Sequence, residues 1–360
     1  MGVLTAAAKV YSVWGMIRQA LSWIALVSCC GCGWISPPPA PISGTYVQAK
    51  TEGAQAELRR AASDRAPATR AAAMEAIGQV LAAQGGDLLE QGLDDAEPGV
   101  RFAAAMAIGD AKHRPALGAL AAKIKPQTGE RDRRVFCAVL YALFRLGNLS
   151  HLGDLADLLK DPEPAVRANA AMVMGKIGNP SAVGPLKSVL VDETNETAQY
   201  NMTEALAALG DSRSQALLEG FARGVYLDLR LAAIPAIARF QTLYAKPALR
   251  DILAHAHSTR VRVSAAGALA SMGEYDPQGY DLCIQSCKNP KVMMEHGAVE
   301  DPAASDVELS SLQQLAARSL GWMNKPQAVP TLEDLMHHAD PPVRVMAAMS
   351  IIRILGHAAE

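Results

Sequence analysis

Three side chains towards the C-terminal end of the chain have the types that bind soft metal ions. Cys283 and Cys287 are four residues apart, which places both thiols on one face of a helix, and His296 follows nearby. Thiolates and imidazoles are ligands for zinc and related metals. A zinc site needs about four ligands, however, and only three can be named. We therefore predict no metal and no cofactor, with buried or free thiols as the simpler interpretation of the two cysteines.

Other residues capable of chemistry form no catalytic signature. His255 and His257 near Arg260 could bind an anion, but a surface pair after the end of a helix explains them equally well. The sequence has no Gly-rich phosphate loop, no nucleophile elbow and no zinc-protease motif. The net charge of -2 does not indicate a nucleic-acid partner, which usually needs a strongly basic face. These observations predict that the chain is not an enzyme and does not bind nucleic acid.

A cysteine near the N-terminus has a different setting. Residues 19–28 form an apolar stretch that follows Arg18. The stretch is shorter than the roughly 20 residues that span a bilayer, and it is typical of the apolar part of a secretory signal. Residues 26–29 read Leu-Val-Ser-Cys, which resembles the bacterial lipobox. That resemblance implies that Cys29 is acylated and becomes the mature N-terminus.

The expected organisation is a lipoprotein-type signal peptide (1–28), a lipidated cysteine with a Pro-rich tether (29–50), and a folded region (51–360). Four prolines between residues 37 and 41 favour a stiff, extended spacer. We expect a lipid-anchored protein of the cell envelope. In a diderm bacterium the anchor would lie in the outer membrane and face the periplasm, because Cys30 rather than Asp follows the acylated cysteine. A short buried helix, a plain cleaved signal and an uncleaved anchor remain alternatives, and Met16 is an alternative start.

The rest of the chain repeats itself. The clearest copy occupies residues 161–175, and two more copies begin at Asp94 and Asp340. The clearest copies share a Val-Arg step. Aligning all copies on the Arg of that step gives positions 70, 101, 136, 167, 199, 230, 262, 313 and 344. Their spacing is 31 or 32 residues, apart from one gap of 35 and one of 51. The long gap indicates an insertion near 287–306.

Each copy predicts a pair of helices. Apolar residues at helical spacing are followed by a turn rich in Asp and Pro, which are favoured at the beginning of a helix, and then by a second apolar stripe. Hydrophobic residues make up 50% of the chain but aromatic residues only 5%, which suits closely packed helices. One helix pair cannot bury its apolar face alone, so neighbours must stack. The fold class we predict is an all-α α-solenoid of about nine helix pairs.

This pattern resembles HEAT repeats, in the short form that also occurs in phycobilisome lyases. The resemblance covers about residues 51–360. It implies a right-handed superhelix whose second helices line the concave side, and a role in scaffolding or protein binding. It also implies that the Asp and Arg residues of the turns support neighbouring repeats through hydrogen bonds. The residues in question are Asp161, Arg167, Arg101, Arg230, Arg262, Asp340 and Arg344.

One face of the second helices is a candidate binding surface. The residue after the aligned position and the residue four later share a helix face that should point away from the core. Over the first two-thirds of the repeats this face is largely apolar, which favours a groove for an extended peptide or a helix. The groove residues we predict are Phe102, Met106, Tyr141, Met172, Tyr200 and Leu231. The alternative is that tight curvature packs these side chains between adjacent repeats.

Together these features predict a membrane-anchored scaffold that presents a concave HEAT-repeat surface to a protein or peptide in the cell envelope. The alternative is a cytoplasmic HEAT-like lyase or regulatory subunit, in which case the hydrophobic N-terminus is misread. Three classes of enzyme have HEAT-like folds. Phycobilin lyases work inside photosynthetic cells, which an export signal contradicts. Deoxyhypusine hydroxylases need His-Glu pairs, which this sequence lacks. Alkylpurine glycosylases need a basic cleft, which its composition does not indicate.

Overall fold

The computed structural model describes residues 43–125, 129–241, 243–295 and 305–357. Within these ranges the chain is helical and contains no strand, which confirms the all-α prediction. The repeats lie in one compact unit, Gly44–Glu360. Cys29, most of the tether and His296 lie outside the described residues. None of the helices described is long and apolar enough to cross a bilayer.

The described residues form nineteen α-helices, joined in places by single 3₁₀ turns. They are α1 (Gly44–Ala61), α2 (Pro67–Val80), α3 (Gly86–Gly92), α4 (Pro98–Ala111), α5 (Leu117–Lys123), α6 (Arg133–Arg145), α7 (Leu152–Leu158), α8 (Pro164–Ile177), α9 (Val183–Leu190), α10 (Glu196–Ala208), α11 (Ser212–Arg223), α12 (Leu227–Phe240), α13 (Ala245–His255), α14 (Thr259–Ser271), α15 (Pro277–Lys288), α16 (Pro290–Glu295), α17 (Asp306–Met323), α18 (Val329–Leu335) and α19 (Pro341–His357).

The helices follow one another as nine stacked pairs, which confirms the α-solenoid. The second helices of the pairs are α2, α4, α6, α8, α10, α12, α14, α17 and α19, and each contacts the second helix of the next pair. The short helix α16 is part of the predicted insertion and lies between α15 and α17. Helix α1 begins at Gly44, so residues 44–50, which the sequence analysis assigned to the tether, lie within the first pair.

The helix boundaries reflect local chemistry. Proline occupies the first turn of α2, α4 and α8, where its missing N–H costs nothing. Asp132 and Asp211 cap α6 and α11 by accepting hydrogen bonds from backbone N–H groups. After the insertion, Ser305 and Glu308 form a reciprocal capping box that starts α17. Gly178 ends α8 in the left-handed conformation that glycine adopts readily.

The turn arginines form a ladder of ion pairs between successive repeats. Arg70 pairs with Asp95, Arg101 with Glu130 and Arg167 with Glu193, each at 2.7 Å from Nε to a carboxylate oxygen. Each of these arginines also donates to two carbonyl groups of its own turn. Each of these arginines is therefore held by the acidic residue of the following turn and by two carbonyl groups of its own turn.

The other residues predicted to support the turns differ in detail. The Asp161 carboxylate accepts a hydrogen bond from the Glu163 N–H and pairs with Arg133. Arg167 donates to the carbonyl of Asp161 and not to its carboxylate. Arg230 and Arg262 donate to the carbonyls of Ala222 and Leu253, and neither pairs with an acidic side chain among the described residues. Arg344 donates to the carbonyls of His338 and Ala339 and not to the Asp340 carboxylate. Within the described residues the ladder is therefore interrupted from the fifth pair to the eighth, since the aligned residues of the fifth and eighth pairs are Gln199 and Gln313.

The stack closes on itself. The last helix, α19, packs against both α1 and α2. Arg344 Nε lies 2.9 Å from Glu57 Oε1, which adds one more rung to the ladder between residues 287 positions apart. Lys50 pairs with Glu333 at 2.6 Å, and Arg353 Nη2 donates to Gln79 Oε1 at 2.9 Å. The second helices therefore form a closed circle, and the open curved surface expected from the sequence is an enclosed interior.

Candidate functional site

The predicted groove residues do not form one exposed apolar surface. Tyr141 and Tyr200 have 0% and 4% of their surface exposed, and Met106 is also buried. Tyr200 packs edge-on against the Phe221 ring at a centroid distance of 5.4 Å. The tight curvature of the ring packs these three side chains between neighbouring helices, which is the alternative that the sequence analysis left open.

The remaining groove residues are only partly covered. Phe102, Met172 and Leu231 are half-buried. Met172 and Leu231 line cavities in the ring's interior, and Tyr141 forms part of the wall of one of them. The predicted concave face thus contributes to an internal site, and its role in binding a partner stays a prediction.

A single repeat position, nine residues after each aligned position, supplies much of the interior. We call these nine residues the inner ring; eight of them line two cavities of the interior, and the ninth, Arg353, bonds to Gln79. They are Gln79, Asp110, Arg145, Lys176, Ala208, Arg239, Ser271, Trp322 and Arg353. The position carries four cationic side chains and one carboxylate. The interior is therefore polar and predominantly positive.

The first cavity, which we call the tyrosine cavity, has a volume of about 630 Å³ and is lined by α4, α6, α8, α10 and α12. Its ionisable residues are Asp110, Tyr141, Arg145, Lys176, Glu204 and Arg239. Met172 and Phe240 supply apolar surface. Because ionisable groups and apolar walls meet in one space of this size, the cavity has the character of a small-molecule site.

The Asp110 carboxylate organises the tyrosine cavity. One of its oxygens accepts a short hydrogen bond from the Tyr141 hydroxyl, and the other lies 2.8 Å from Lys176 Nζ. Lys176 Nζ also lies 5.0 Å from the centre of the Tyr141 ring, in cation–π contact. Burial and the adjacent Asp110 carboxylate raise the pKa of Tyr141, so the phenol stays protonated and donates. Carboxylate, phenol and ammonium form a connected path for protons.

The second cavity, which we call the tryptophan cavity, has a volume of about 530 Å³ and is lined by residues of α2, α12, α14 and α17. Its apolar side chains are Leu231, Pro235, Leu315 and Trp322, and its cations are Arg239 and Arg318. None of the residues that line it is acidic. Arg239 lines both cavities, so the two spaces adjoin.

The thiols predicted to be buried or free are buried. Cys137, Cys283 and Cys287 form no disulfide. Burial raises the pKa of the Cys137 and Cys287 thiols to about 12, so neither is a nucleophile at neutral pH. Among the residues that the structure describes, no cluster of His, Cys, Asp and Glu could hold a metal ion. His255 is paired with Asp251 on the exposed side of α13.

Sequence reasoning missed the inner ring. It examined the positions one and five residues after the aligned position. Several of those residues, such as Met172 and Leu231, do line the interior, but the position one turn further along the same helices was not considered. The signal was present in the repeat alignment. At the position of Asp110 and Lys176 the residue type changes from copy to copy, between Gln, Asp, Arg, Lys, Ala, Ser and Trp. The alignment shows that this position is mostly polar, but only the ring shows that these residues surround one interior.

Comparisons with known proteins agree with the repeat assignment. A family described as HEAT repeats matches residues 152–226, which is less than half of the chain. A bilin biosynthesis protein, PecE of Mastigocladus laminosus, is 28% identical over 172 residues. That alignment covers 47% of this chain and spans 63% of the length of the relative. The repeats of this chain are thus similar to HEAT repeats, and about half of the chain is similar to a part of that relative.

The solved structures that match have lower sequence identity to this chain than that relative. The complex of CpcE and CpcF of phycocyanin lyase from Nostoc has 21% identity, covering 73% of this chain and 93% of that chain, with a TM-score of 0.35. Human deoxyhypusine hydroxylase has 17% identity, covering 78% of this chain and 99% of that chain, with a TM-score of 0.37.

The sequence relative corrects one prediction. From the absence of catalytic motifs we predicted that the chain is not an enzyme, but the relative it matches takes part in biosynthesis. The motif search failed because its signatures are short and contiguous. The ionisable residues of the tyrosine cavity come from five different helices and leave no local motif.

Proposed function

From the HEAT-repeat architecture and the likeness to a bilin biosynthesis protein, we propose that the chain is a lyase-type subunit that works with a protein partner. The observation that carries the proposal is the 28% identity over 172 residues. The aligned length is enough for several repeats, and the enclosed interior supplies a place for a small molecule. This proposal favours the alternative of the sequence analysis over the plain scaffold.

The tyrosine cavity is the reaction site in this proposal. Forming or breaking a bond by addition or elimination requires a proton to be delivered to, or taken from, the reacting carbon. Lys176 and Asp110 are both partly exposed to the cavity, with 32% and 45% of their side-chain surface accessible. Lys176 is the candidate proton donor and Asp110 the candidate acceptor. Tyr141, which is fully buried, positions the Asp110 carboxylate.

A second surface supports the protein partner. Where the fifth and sixth pairs meet, the turns expose apolar side chains: 82% of Val191, 92% of Val225 and 57% of Tyr226 are accessible. Here the ion-pair ladder is interrupted, because the aligned residue of the fifth pair is Gln199, which donates to the Glu193 carbonyl of its own turn. Exposed apolar residues clustered on one edge are typical of a protein interface. We propose that the partner protein docks on this edge.

The reaction is tested with the full chain, a linear tetrapyrrole such as phycocyanobilin, and apo-phycocyanin as acceptor. Covalently attached pigment is detected by zinc-enhanced fluorescence on a denaturing gel. We expect Lys176→Gln to lower the rate of attachment about 100-fold, the range over which positioned acids contribute. Lys160→Gln, which alters an exposed lysine outside the interior, serves as the control. Absence of both pigment binding and pigment transfer in the native chain would overturn the proposal.

The lipid anchor is a separate proposal that rests on residues 19–29 alone. If Cys29 is acylated, the lyase-type subunit works in the cell envelope, with the membrane reached through the lipid. Metabolic labelling with an alkyne fatty acid tests this. Label on the native chain and none on Cys29→Ala supports the envelope location, whereas an unlabelled native chain favours the cytoplasmic alternative.

A further inference from the structure

The positive charge of the tryptophan cavity is not balanced. Arg318 lines the cavity with an exposed side chain and forms no ion pair with any described residue. Arg239, the other cation in the wall, pairs with Glu204. Glu75 lies one turn before Gln79 on α2, but it does not line the cavity and pairs with neither Arg318 nor Arg353. An unpaired guanidinium in a partly enclosed space favours the arrival of an anion.

A second guanidinium lies directly behind the wall. Arg353 stacks on the Trp322 ring, with its Cζ 4.1 Å from the ring centre, and donates to Gln79. Its Nη1 is buried and has no hydrogen-bond partner. Burial lowers the pKa of Arg353, because it disfavours the charged form, and repulsion by the positive charge of Arg318 lowers it further. A negative group near Arg318 would relieve this repulsion.

The rest of the wall is suited to an apolar body. The space is lined by Leu231, Pro235, Leu315 and Trp322. Trp322 is 44% exposed. Ser264 and Ser271 add hydroxyl groups. The volume of about 530 Å³ falls within the range of drug-sized ligand sites. An amphiphile with one anionic end fits this distribution of charge and apolar surface.

We propose that the tryptophan cavity binds an organic oxyanion, a carboxylate or phosphate joined to an apolar ring system, with Arg318 contacting the anionic group and Trp322 the ring. The residues that line this cavity include neither Asp110 nor Lys176, which form the proton path of the tyrosine cavity. The inference concerns binding alone, so it can hold or fail independently of the proposed lyase activity.

The test is a fluorescence titration of the full chain with 8-anilinonaphthalene-1-sulfonate, an aromatic oxyanion. N-phenyl-1-naphthylamine, which has the same rings without the sulfonate, is titrated in parallel. Displacement of the sulfonate by 1-naphthoate and by 1-naphthyl phosphate, compared with neutral 1-naphthalenemethanol, shows which oxyanion is preferred. We expect one or both anions, but not the alcohol, to compete.

Two variants assign the binding to this cavity. Arg318→Gln should weaken the affinity for the sulfonate about tenfold, the value of one hydrogen bond to a charged group, and leave the neutral probe unchanged. Arg213→Gln, which alters an exposed arginine on α11 away from the interior, should change neither affinity. Equal binding of the sulfonate by the native chain and Arg318→Gln would overturn the proposal, as would equal competition by the alcohol.

Discussion

Glu193 shows how a single carboxylate joins two repeats. Its side chain is 1% exposed, and its two oxygens accept from Nε and Nη2 of Arg167 at 2.7 and 2.8 Å. The N–H groups of Thr194 and Asn195 donate to the same carboxylate. These donors, with the Arg167 guanidinium the strongest, hold the pKa of Glu193 below its usual value of 4.5. The charged form is therefore the one that the folded state prefers.

Glu193→Gln is expected to lower the free energy of unfolding at pH 7 by about 1–3 kcal/mol, since buried donors lose a charged acceptor. Because the folded pKa is lowered, the stabilisation by Glu193 is fully present above pH 4.5. It is lost as the pH falls through the folded pKa. The stability difference between the native chain and the variant should therefore shrink in acid. Urea unfolding at several pH values measures it.

Glu219→Gln provides the reference for that experiment, because Glu219 is partly exposed and forms no ion pair with any residue that the structure describes. A gap between the native chain and Glu193→Gln that stays constant from pH 7 to acid would show that ionisation of Glu193 plays no part.

At the scale of elements, small residues allow the second helices to approach closely. A Cβ added at Gly109 on α4 would lie 2.8 Å from Cδ1 and Cε1 of Tyr141 on α6. On α8, a Cβ at Gly175 would lie 2.7 Å from the Cα of Ala205 on α10. The close approach also explains why Asp110 and Lys176 meet although they are on α4 and α8. Small residues thus determine the diameter of the ring and with it the geometry of the tyrosine cavity.

Gly109→Ala should lower the free energy of unfolding by about 1–3 kcal/mol, because the added methyl forces the Tyr141 ring and α6 to move. The matched control is Gly118→Ala on α5, where nothing lies within 4 Å of the added Cβ. There the substitution should be neutral or stabilise by up to about 1 kcal/mol, through helix propensity. Thermal unfolding compares the two. Equal melting temperatures for both variants would mean that α4 and α6 are farther apart than described.

For the whole molecule, closure removes a general difficulty of solenoids. An open stack exposes the apolar faces of its first and last repeats and needs polar capping repeats. Here α1 and α19 cover each other, and Ala54, Leu58 and Ile351 are completely buried. The Arg344–Glu57 pair lies within this closure, with 14% and 8% of the two side chains exposed. Contacts between the two ends of the chain thus replace the capping repeats.

A double-mutant cycle on Arg344→Gln and Glu57→Gln tests the closure. We expect a coupling free energy on the order of 1 kcal/mol, because the two side chains are in contact in the folded ring. The internal rung Arg70–Asp95, with 16% and 14% exposure, should give a similar value through Arg70→Gln and Asp95→Asn. Additive effects at residues 57 and 344, alongside coupling at the internal rung, would be the mark of an open stack.

The sequence by itself determined the elements and their order. The 31-residue spacing, the Asp-Pro turns and the apolar stripes are local properties, and local hydrogen bonding and capping suffice to turn them into helix pairs. The position of the turn arginines was readable for the same reason. Their acidic partners were not, because Glu193 lies in the next turn, outside the copy that contains Arg167.

Only the tertiary structure decided what the repeated faces do. Curvature is the sum of small rotations between pairs, and no single copy reveals whether the sum closes the ring through Glu57 and Arg344. The same curvature packs Tyr141 and Tyr200 between neighbouring helices, where both are buried. The site depends on the same geometry, because Asp110 and Lys176 are 66 residues apart and meet only where the second helices converge. Long-range packing of this kind has no local signature, which is why the sequence predicted the repeats but not the interior they enclose.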